Sequence, residues 1–289
     1  MAQPGTDKGD PRPGRAAAPG AAMTRPWEAP EVVAAAAWGP ALILCEHAAN
    51  YIPERYDGLG LAAGACESHA AWDPGARAVA LRVARALRAP MVAARVSRLV
   101  YDCNRPPEAA SAIPDHVEQI AVPGNAGLDA QARAERVAAV YAPFTAAVEA
   151  VIDARAAAGR PTALVTIHSF SPHWFGQPRA TEIGILHDDD SRLADAMLAR
   201  APAVVPHRAV ARNAPYGPTD GVTHSLRRFG LARGLPNVMI EIRNDLLAGR
   251  DGGARLADEV LALLRPALKA VLPADADMPA DRRGGGDDA

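Results

Sequence analysis

Three short apolar runs, each followed by a side chain that binds metals or carries protons, most constrain what this chain can fold into. The runs cover residues 41–46 before His47, residues 163–167 before His168 and residues 238–240 before Glu241. Their composition is typical of strands that are buried on both faces of a parallel sheet. Open α/β sheets bind ligands at the carboxyl ends of their strands. We therefore expect His47, His168 and Glu241 to share one site.

Helices are predicted between these strands. The chain has 289 residues, of which 49% are hydrophobic and 22% charged, as in ordinary globular proteins. Apolar spacing predicts helices over residues 73–88, 128–158, 191–201 and 253–271, the second bent at Pro143, and further strands over 91–96 and 181–187. Strands that alternate with helices indicate a mostly parallel sheet with both faces covered.

The composition also limits the location and the partners of the protein. We predict one domain over residues 29–272, between disordered tails at 1–28 and 273–289 that are rich in Pro, Gly and charged residues. The first tail has no apolar signal-peptide core, and no apolar run approaches the ~18 residues of a membrane helix. With a net charge of −2, the chain lacks the excess of basic residues that is typical of nucleic-acid-binding proteins. Three cysteines without CxxC spacing favour a reducing cytoplasm.

The two histidines that follow strands are the predicted metal ligands. Neutral imidazole is a good zinc ligand, and a catalytic zinc takes three protein ligands and leaves one position open. The sequence contains neither an HExxH motif nor a cysteine cluster that could complete the set for His47 and His168. The third ligand stays open among Asp73, Glu46 and His69. Asp73 precedes a proline, which is also typical of a helix N-cap.

Other polar residues near strand ends are candidates for proton transfer and substrate binding. Glu241 ends an apolar strand, where partial burial would raise its pKa towards that of a general base, although it could instead pair with Arg243. Asn104 and Arg105 offer the amide and the planar guanidinium that suit a substrate carboxylate, and Arg98 is a second candidate of that kind.

The order of these motifs resembles the zinc carboxypeptidase superfamily and, more closely, the N-formylglutamate amidohydrolase family. The resemblance extends over about residues 40 to 265. The stretches that carry it are C-E-H-A-A-N-Y-I-P (45–53), H-A-A-W-D-P-G-A (69–76), S-R-L-V-Y-D-C-N-R-P (97–106), I-H-S-F-S-P (167–172), N-A-P-Y (213–216) and I-E-I-R-N-D-L (240–246).

The resemblance implies a three-layer α/β/α sandwich with a mostly parallel, mixed sheet, as in the zinc carboxypeptidases. It implies one zinc ion on His47 and His168 and a water-activating glutamate at Glu241. It further implies that Asn104 and Arg105 grip a substrate carboxylate.

The chain also departs from the pattern of the superfamily. The carboxypeptidase motif HxxE is absent because Asn50 stands three residues after His47, and Asp73 is our substitute for the missing ligand. Tyr216 resembles the mobile tyrosine of the carboxypeptidases. The remaining predicted substrate-binding residues are Arg98, Arg243, and Asn213 of the N-A-P-Y stretch. The full predicted set is Asn104, Arg105, Arg98, Tyr216, Asn213 and Arg243.

The implied activity is metal-dependent hydrolysis of an N-formyl or other N-acyl amino acid, with N-formylglutamate as the first candidate and formate and glutamate as products. The expected partner is this small molecule, without nucleic acid or membrane. One alternative is the same machinery acting on a peptide or another acyl-amino acid. A second is a ligand-binding relative without turnover. A third is a hydrolase that uses Ser169 beside His168, although the chain lacks a G-x-S-x-G elbow.

Overall fold

The computed structural model describes residues 29–273, together with Met1 and Trp27. The predicted tails therefore lie almost wholly outside the described residues. The strands are β1 (Glu31–Val33), β2 (Ala41–Cys45), β3 (Met91–Ala93), β4 (His116–Val117), β5 (Ile120–Ala121), β6 (Ala163–Phe170), β7 (His173–Trp174), β8 (Gln177–Pro178), β9 (Ile183–Leu186), β10 (Val210–Arg212) and β11 (Asn237–Arg243). The helices are α1 (Ala76–Leu87), α2 (Ala130–Arg136), α3 (Ala142–Ala157), α4 (Arg192–Leu198), α5 (Ala201–Val204) and α6 (Gly252–Val271).

Seven of these strands form one sheet in the order β1-β3-β2-β6-β11-β9-β10. The strands β3, β2, β6 and β11 run parallel to one another. At the sides, β1 is antiparallel to β3 and β9 is antiparallel to β11. The predicted mostly parallel, mixed sheet is confirmed, and the three strands that carry the predicted site lie side by side in its middle.

Helices cover both faces of the sheet, which makes the predicted three-layer α/β/α sandwich. On one face, α1, α4 and α6 pack against the sheet, and on the other face α3 does so. Strand β2 shows why the central strands are apolar along their whole length. Ile43 and Cys45 belong to the first core, whereas Leu42 and Leu44 belong to the second. Successive side chains of a strand point to opposite faces, so a strand between two cores must be apolar throughout.

Helix α1 begins later than predicted, and this corrects the interpretation of Asp73. The helix starts at Ala76, preceded by Gly75 with φ of 83°, and it has no side-chain N-cap. A left-handed residue at this point turns the chain before the helix begins. Asp73 is therefore not an N-cap, and its carboxylate is free to point elsewhere.

Two other helical segments also differ in detail from the prediction. Residues 128–158 form α2, a π-helical turn at Val137–Tyr141, and α3. The interruption lies next to Pro143, which lacks the N–H of a regular helical hydrogen bond. Residues 191–201 contribute to two short helices, and the Ser191 hydroxyl donates to Asp195 Oδ2 (2.7 Å) rather than capping α4.

One helical stretch is an exception to the expected lack of long apolar segments. Residues Ala130–Ala157 are long and apolar enough to cross a membrane by length and composition. Phe144, Val148 and Val151 of this stretch are buried in the second core, against the sheet. It is a core helix of the sandwich.

Candidate active site

The carboxyl ends of β2, β6 and β11 bring the three predicted residues together. Glu241 on β11 is paired in register with His168 on β6, so the two side chains stand next to each other on one face. His47 lies two residues beyond β2, and its Nδ1 is 3.2 Å from His168 Nδ1. All three residues are buried. The sheet order thus makes one site of residues that are far apart in the sequence.

Asp73 completes a cluster of metal-competent atoms, which we call the His–Asp–His cluster (His47, Asp73 and His168). Its Oδ2 lies 2.9 Å from His168 Nδ1 and 3.2 Å from His47 Nδ1. Ligand atoms that bind zinc tetrahedrally at about 2.0–2.1 Å lie roughly 3.3 Å from one another. The spacing and the donor set of the cluster therefore fit such an ion.

The loop before α1 brings Asp73 to the end of β2. The Asp73 backbone N–H donates to the carbonyl oxygen of His47 (3.0 Å), so the two segments lie side by side. The backbone N–H of Ser169 then donates to Asp73 Oδ2 (3.2 Å). The carboxylate is therefore held by backbone from two directions and positioned between the histidines.

Each histidine of the cluster has a carboxylate at its other ring nitrogen, and we call Asp102 and Glu46 the outer carboxylates. His47 Nε2 is 2.7 Å from Asp102 Oδ1, and His168 Nε2 is 3.2 Å from Glu46 Oε2. A neutral histidine whose Nε2–H donates a hydrogen bond to a carboxylate has an unprotonated Nδ1, and this nitrogen can bind a metal. His168 Nε2 and Glu46 Oε2 are close but not hydrogen-bonded, and neither atom has a hydrogen-bond partner among the described residues. Glu46 is not part of the His–Asp–His cluster.

Asp102 is the residue of this site that the sequence analysis missed. It stands two residues before Asn104 in the D-C-N-R run, so a signal was present in a motif already singled out. Its other oxygen accepts from Arg98 Nη2 (2.8 Å), and its Oδ1 also accepts from the Asn104 backbone N–H (2.9 Å). The D-C-N-R run therefore contributes a contact to His47 of the His–Asp–His cluster and also forms part of the cleft wall.

Glu241 differs electrostatically from the other buried carboxylates. Burial favours the neutral acid at Asp73, yet His47 and His168 hold its pKa well below the usual range. Burial also favours the neutral acid at Asp102, but the nearby charges of His47 and Arg98 have the larger effect and hold its pKa well below the usual range. At Glu241, burial prevails and raises the pKa to about 7. Glu241 is thus the carboxylate suited to take up and release a proton near neutral pH.

These residues open into a small cleft of about 170 Å³. A volume of this size suits a small molecule better than a peptide. The cleft is bordered by His47, His69, Asp73, Arg98, Asn104, Arg105, Val117, Glu118, His168, Ser169, Phe170, Ser171, Trp174, Tyr216, Val222 and Glu241. Glu118 and Val117 come from the hairpin β4–β5, inside the long connection between β3 and α2.

The predicted carboxylate-binding residues border this cleft but differ in their partners. Arg98 is paired with Asp102 and lies 3.6 Å from Asp73, so its charge is largely balanced. Arg105 has no carboxylate within 4 Å among the residues described, and its Nη1 donates to the carbonyl oxygen of Asn104 (2.9 Å). Arg105 is therefore the guanidinium of this pair that is open to an anion.

Asn104 has a structural role that the sequence did not indicate. Its amide nitrogen donates to the carbonyl oxygen of Val222 (2.6 Å), and its Oδ1 accepts from the Ser225 backbone N–H (2.9 Å). The side chain thus ties the D-C-N-R run to the segment after Tyr216. Its predicted contact with substrate stays a prediction.

Two predicted substrate-binding residues do not border the cleft. Asn213 accepts a hydrogen bond from the His187 backbone N–H (2.9 Å). Arg243 donates to Asp245 Oδ1 (2.8 Å) rather than pairing with Glu241. Tyr216, in contrast, borders the cleft beside Trp174, with ring centroids 6.5 Å apart.

The remaining candidates from the sequence are engaged elsewhere. His69 is 2.7 Å from Glu118 at the cleft wall and is not part of the His–Asp–His cluster. Asn50, at the position of the missing HxxE glutamate, donates to the carbonyl oxygen of Cys66 (3.1 Å). The Ser169 hydroxyl donates to the carbonyl oxygen of Pro74 (2.9 Å), which is not the partner of an activated nucleophile.

We expect Asp102→Asn to weaken metal binding by about 10–100-fold, because Asp102 holds the His47 ring in place through its hydrogen bond with Nε2. Competition between the protein and a coloured chelator would measure the change. Asp115→Asn is the matched control, since Asp115 is bonded to a histidine on the surface, His116 (2.6 Å). Equal metal affinity in the two variants would contradict a role for Asp102 in the site.

Comparisons with known proteins identify the family of the chain. The family model for N-formylglutamate amidohydrolases matches residues 39–248. Among solved structures, a gene product from Agrobacterium tumefaciens is 52% identical, with 84% of this chain and 96% of that chain covered and a TM-score of 0.82. An N-formylglutamate amidohydrolase from Ralstonia eutropha is 20% identical, with 79% and 93% covered and a TM-score of 0.60, which is a likeness of fold. The comparison with curated proteins gives no match.

Proposed function

Because the chain belongs to the N-formylglutamate amidohydrolase family, whose members are hydrolases acting on amide C–N bonds, we propose that it hydrolyses the amide of an N-formyl amino acid or a related N-acyl amino acid. N-Formylglutamate is the first candidate, with formate and glutamate as products. The observation that carries the proposal is the buried His–Asp–His cluster beside Glu241 in a cleft that also exposes Arg105.

The proposed cofactor is one zinc ion, held by His47, Asp73 and His168. Two neutral imidazoles and one carboxylate are a common ligand set of catalytic zinc, and they leave a position for water or substrate. When bound, such an ion polarises the amide carbonyl and makes a water molecule more acidic. Asp102 supports this choice, because its hydrogen bond with His47 Nε2 favours the tautomer whose Nδ1 is unprotonated.

Glu241 is the proposed general base and general acid. It takes a proton from the attacking water as the water oxygen bonds to the formyl carbon. It then gives that proton to the amine nitrogen as the C–N bond breaks. A carboxyl group whose pKa is raised to about 7 by burial can carry out both steps near neutral pH. The products are the free carboxylic acid and the free amine.

Arg105 is proposed to hold a carboxylate of the substrate. A planar guanidinium binds a carboxylate through two parallel hydrogen bonds, which fixes the orientation of the amide as well as its position. Orientation of this kind can account for several kcal/mol of rate enhancement.

The proposal is tested by assaying the zinc-loaded protein with N-formylglutamate, N-acetylglutamate and a dipeptide. We expect release of formate from the first substrate, and Arg105→Gln should raise KM by roughly 10–100-fold, since one charge-assisted pair is lost. Arg200→Gln, at an exposed arginine between α4 and α5, is the matched control. Hydrolysis of the dipeptide alone would instead favour a peptidase, and no hydrolysis of any of the three would contradict the proposal.

A further inference from the structure

A hydrogen-bonded pair that the proposed mechanism does not use lies at the cleft wall. It consists of His69 and Glu118, whose Nε2 and Oε1 atoms are 2.7 Å apart, and we call it the wall pair. Both side chains border the cleft that holds the His–Asp–His cluster. The wall pair joins two segments that are 49 residues apart in the chain, namely the loop before α1 and the tip of the hairpin β4–β5.

The loop before α1 carries both His69 and the proposed metal ligand Asp73. The two residues begin and end the H-A-A-W-D stretch. Between them, the carbonyl oxygen of Ala71 accepts from the Ser97 hydroxyl (2.7 Å) and from the Arg98 backbone N–H (3.2 Å). These bonds hold the loop at its middle. The loop that brings Asp73 to the cluster thus also fixes the position of His69.

Glu118 has an unfavourable backbone conformation at the tip of the hairpin. Strand β4 ends at Val117 and β5 begins at Ile120, so Glu118 is the first residue of a two-residue turn. Its φ is 52°, in the left-handed region, where such turns favour Gly, Asn or Asp and a glutamate costs conformational energy. Its side chain is only 16% exposed, although loop tips normally lie in solvent. The turn thus directs the carboxylate inward, to His69.

The contact with Glu118 determines which nitrogen of His69 is left for a ligand. A neutral imidazole that donates its Nε2–H to a carboxylate has an unprotonated Nδ1, and this nitrogen is a hydrogen-bond acceptor. No hydrogen bond reaches Nδ1 from any residue that the structure describes. The wall pair therefore leaves one acceptor for a ligand at the cleft wall.

The proposed substrate needs such an acceptor. N-Formylglutamate with ionised carboxylates has a single hydrogen-bond donor, its amide N–H. This N–H loses its water when the substrate enters the cleft, and a buried donor without a partner is costly. In a trans amide the N–H points away from the carbonyl oxygen. When the carbonyl oxygen faces the proposed metal site, the N–H therefore points away from the His–Asp–His cluster.

Other acceptors of the cleft already have a partner or a task. Asp73 is a proposed metal ligand, and Glu241 is the proposed base. Asn104 Oδ1 accepts from the Ser225 backbone N–H (2.9 Å). His69 Nδ1 is thus an acceptor that the mechanism leaves to the substrate.

We propose that His69 accepts the hydrogen bond of the substrate's amide N–H, and that Glu118 is the positioning residue that fixes the His69 tautomer for this contact. The contact orients the plane of the amide, so that its carbonyl oxygen faces the proposed metal site. It also makes the cleft selective for amides over esters, because a site that bonds an N–H discriminates against the analogue without it. This inference rests on the proposed function and adds the residues that recognise the scissile bond.

The test compares N-formylglutamate with the formyl ester in which an oxygen atom replaces the amide N–H. His69→Leu removes the acceptor, so kcat/KM of the zinc-loaded protein for the amide should fall by roughly 10–100-fold, as expected for a buried N–H without a partner. The ester should be hydrolysed at nearly the wild-type rate. His116→Leu is the matched control, at an exposed histidine of the same hairpin that is bonded to Asp115, and it should change neither rate.

Glu118→Asn tests the positioning role. Asparagine tolerates a left-handed backbone, but its side chain is shorter than that of glutamate and uncharged, so the turn is kept while the contact with His69 is lost. We expect the thermal midpoint to stay the same or to rise, while kcat/KM falls for the amide and not for the ester. Nitrogen NMR of the His69 imidazole should show the proton on Nε2 in the wild-type protein and a mixture of tautomers in the variant.

Two results would overturn the inference while the proposed function stands. One is a His69→Leu protein that loses the same factor on amide and ester, because a merely structural role affects both substrates. The other is a wild-type protein in which His69 carries a proton on Nδ1. Failure of the wild-type protein to hydrolyse either substrate would overturn the proposed function itself.

Discussion

Glu241→Gln is expected to leave the fold and metal binding intact and to lower kcat by about 10²–10⁴-fold, the usual contribution of a positioned general base. Glutamine has nearly the same shape but cannot accept the proton from water. The side chain is buried, and its Oε2 has no hydrogen-bond partner in the described chain, so the substitution disturbs no bond at that oxygen. Steady-state kinetics and metal content, measured on the same preparation, provide the test.

The pH profile sharpens this prediction. Burial raises the pKa of Glu241 to about 7, so the basic form is present above this pH and is lost as the pH falls through it. A bound cation nearby lowers the pKa again. The wild-type kcat/KM should therefore fall on the acid side at or below pH 7, and this acid limb should be absent in Glu241→Gln. Glu149→Gln, at a partly exposed glutamate paired with Arg228, is the control. Loss of metal in Glu241→Gln would show that Glu241 is a ligand and contradict its role as a base.

His168→Ala is expected to abolish both metal binding and turnover, because it removes one of the three proposed ligands and the imidazole that lies between Asp73 and Glu46. Two ligands do not hold a zinc ion in competition with water and buffer. Metal content of the purified protein, before and after addition of zinc, measures the effect. About one zinc ion per chain is expected in the wild-type protein.

A matched histidine outside the site gives the control for this substitution. His207 is exposed and is bonded to Glu259 on the surface (3.3 Å). His207→Ala should retain metal and activity. A His168→Ala protein with the wild-type zinc content would contradict the assignment of the cluster. A wild-type protein that binds no zinc at all would contradict the metal-dependent hydrolase as a whole.

The sequence predicted those parts of the site that follow from strand position. His47 follows β2, whereas β6 and β11 continue two residues beyond His168 and Glu241, so these two residues lie near the carboxyl end of each strand rather than after it. The carboxyl ends of strands in a parallel sheet meet at one edge, whatever the connecting segments do. Asp73 was harder to predict, because a residue before a proline is also a good helix cap. Only the start of α1 at Ala76 separates the two interpretations.

The rest of the site depends on contacts that no local pattern contains. Asp102 contacts the far ring nitrogen of His47, which lies 55 residues away along the chain. Glu46 likewise lies near the far ring nitrogen of His168. Residue spacing alone likewise could not show that Arg243 pairs with Asp245 and not with Glu241.

The His–Asp–His cluster also joins distant parts of the chain. His47 and Asp73 are 26 residues apart, and Asp73 and His168 are 95 residues apart. A bound ion would therefore hold three distant segments of the folded chain together, whereas the unfolded chain lacks the assembled site and does not bind it. At free metal 100 times above Kd, binding to the folded state alone adds about 2.7 kcal/mol to the free energy of unfolding. The residues that we propose as metal ligands would thus also make the stability of the protein depend on the metal supply.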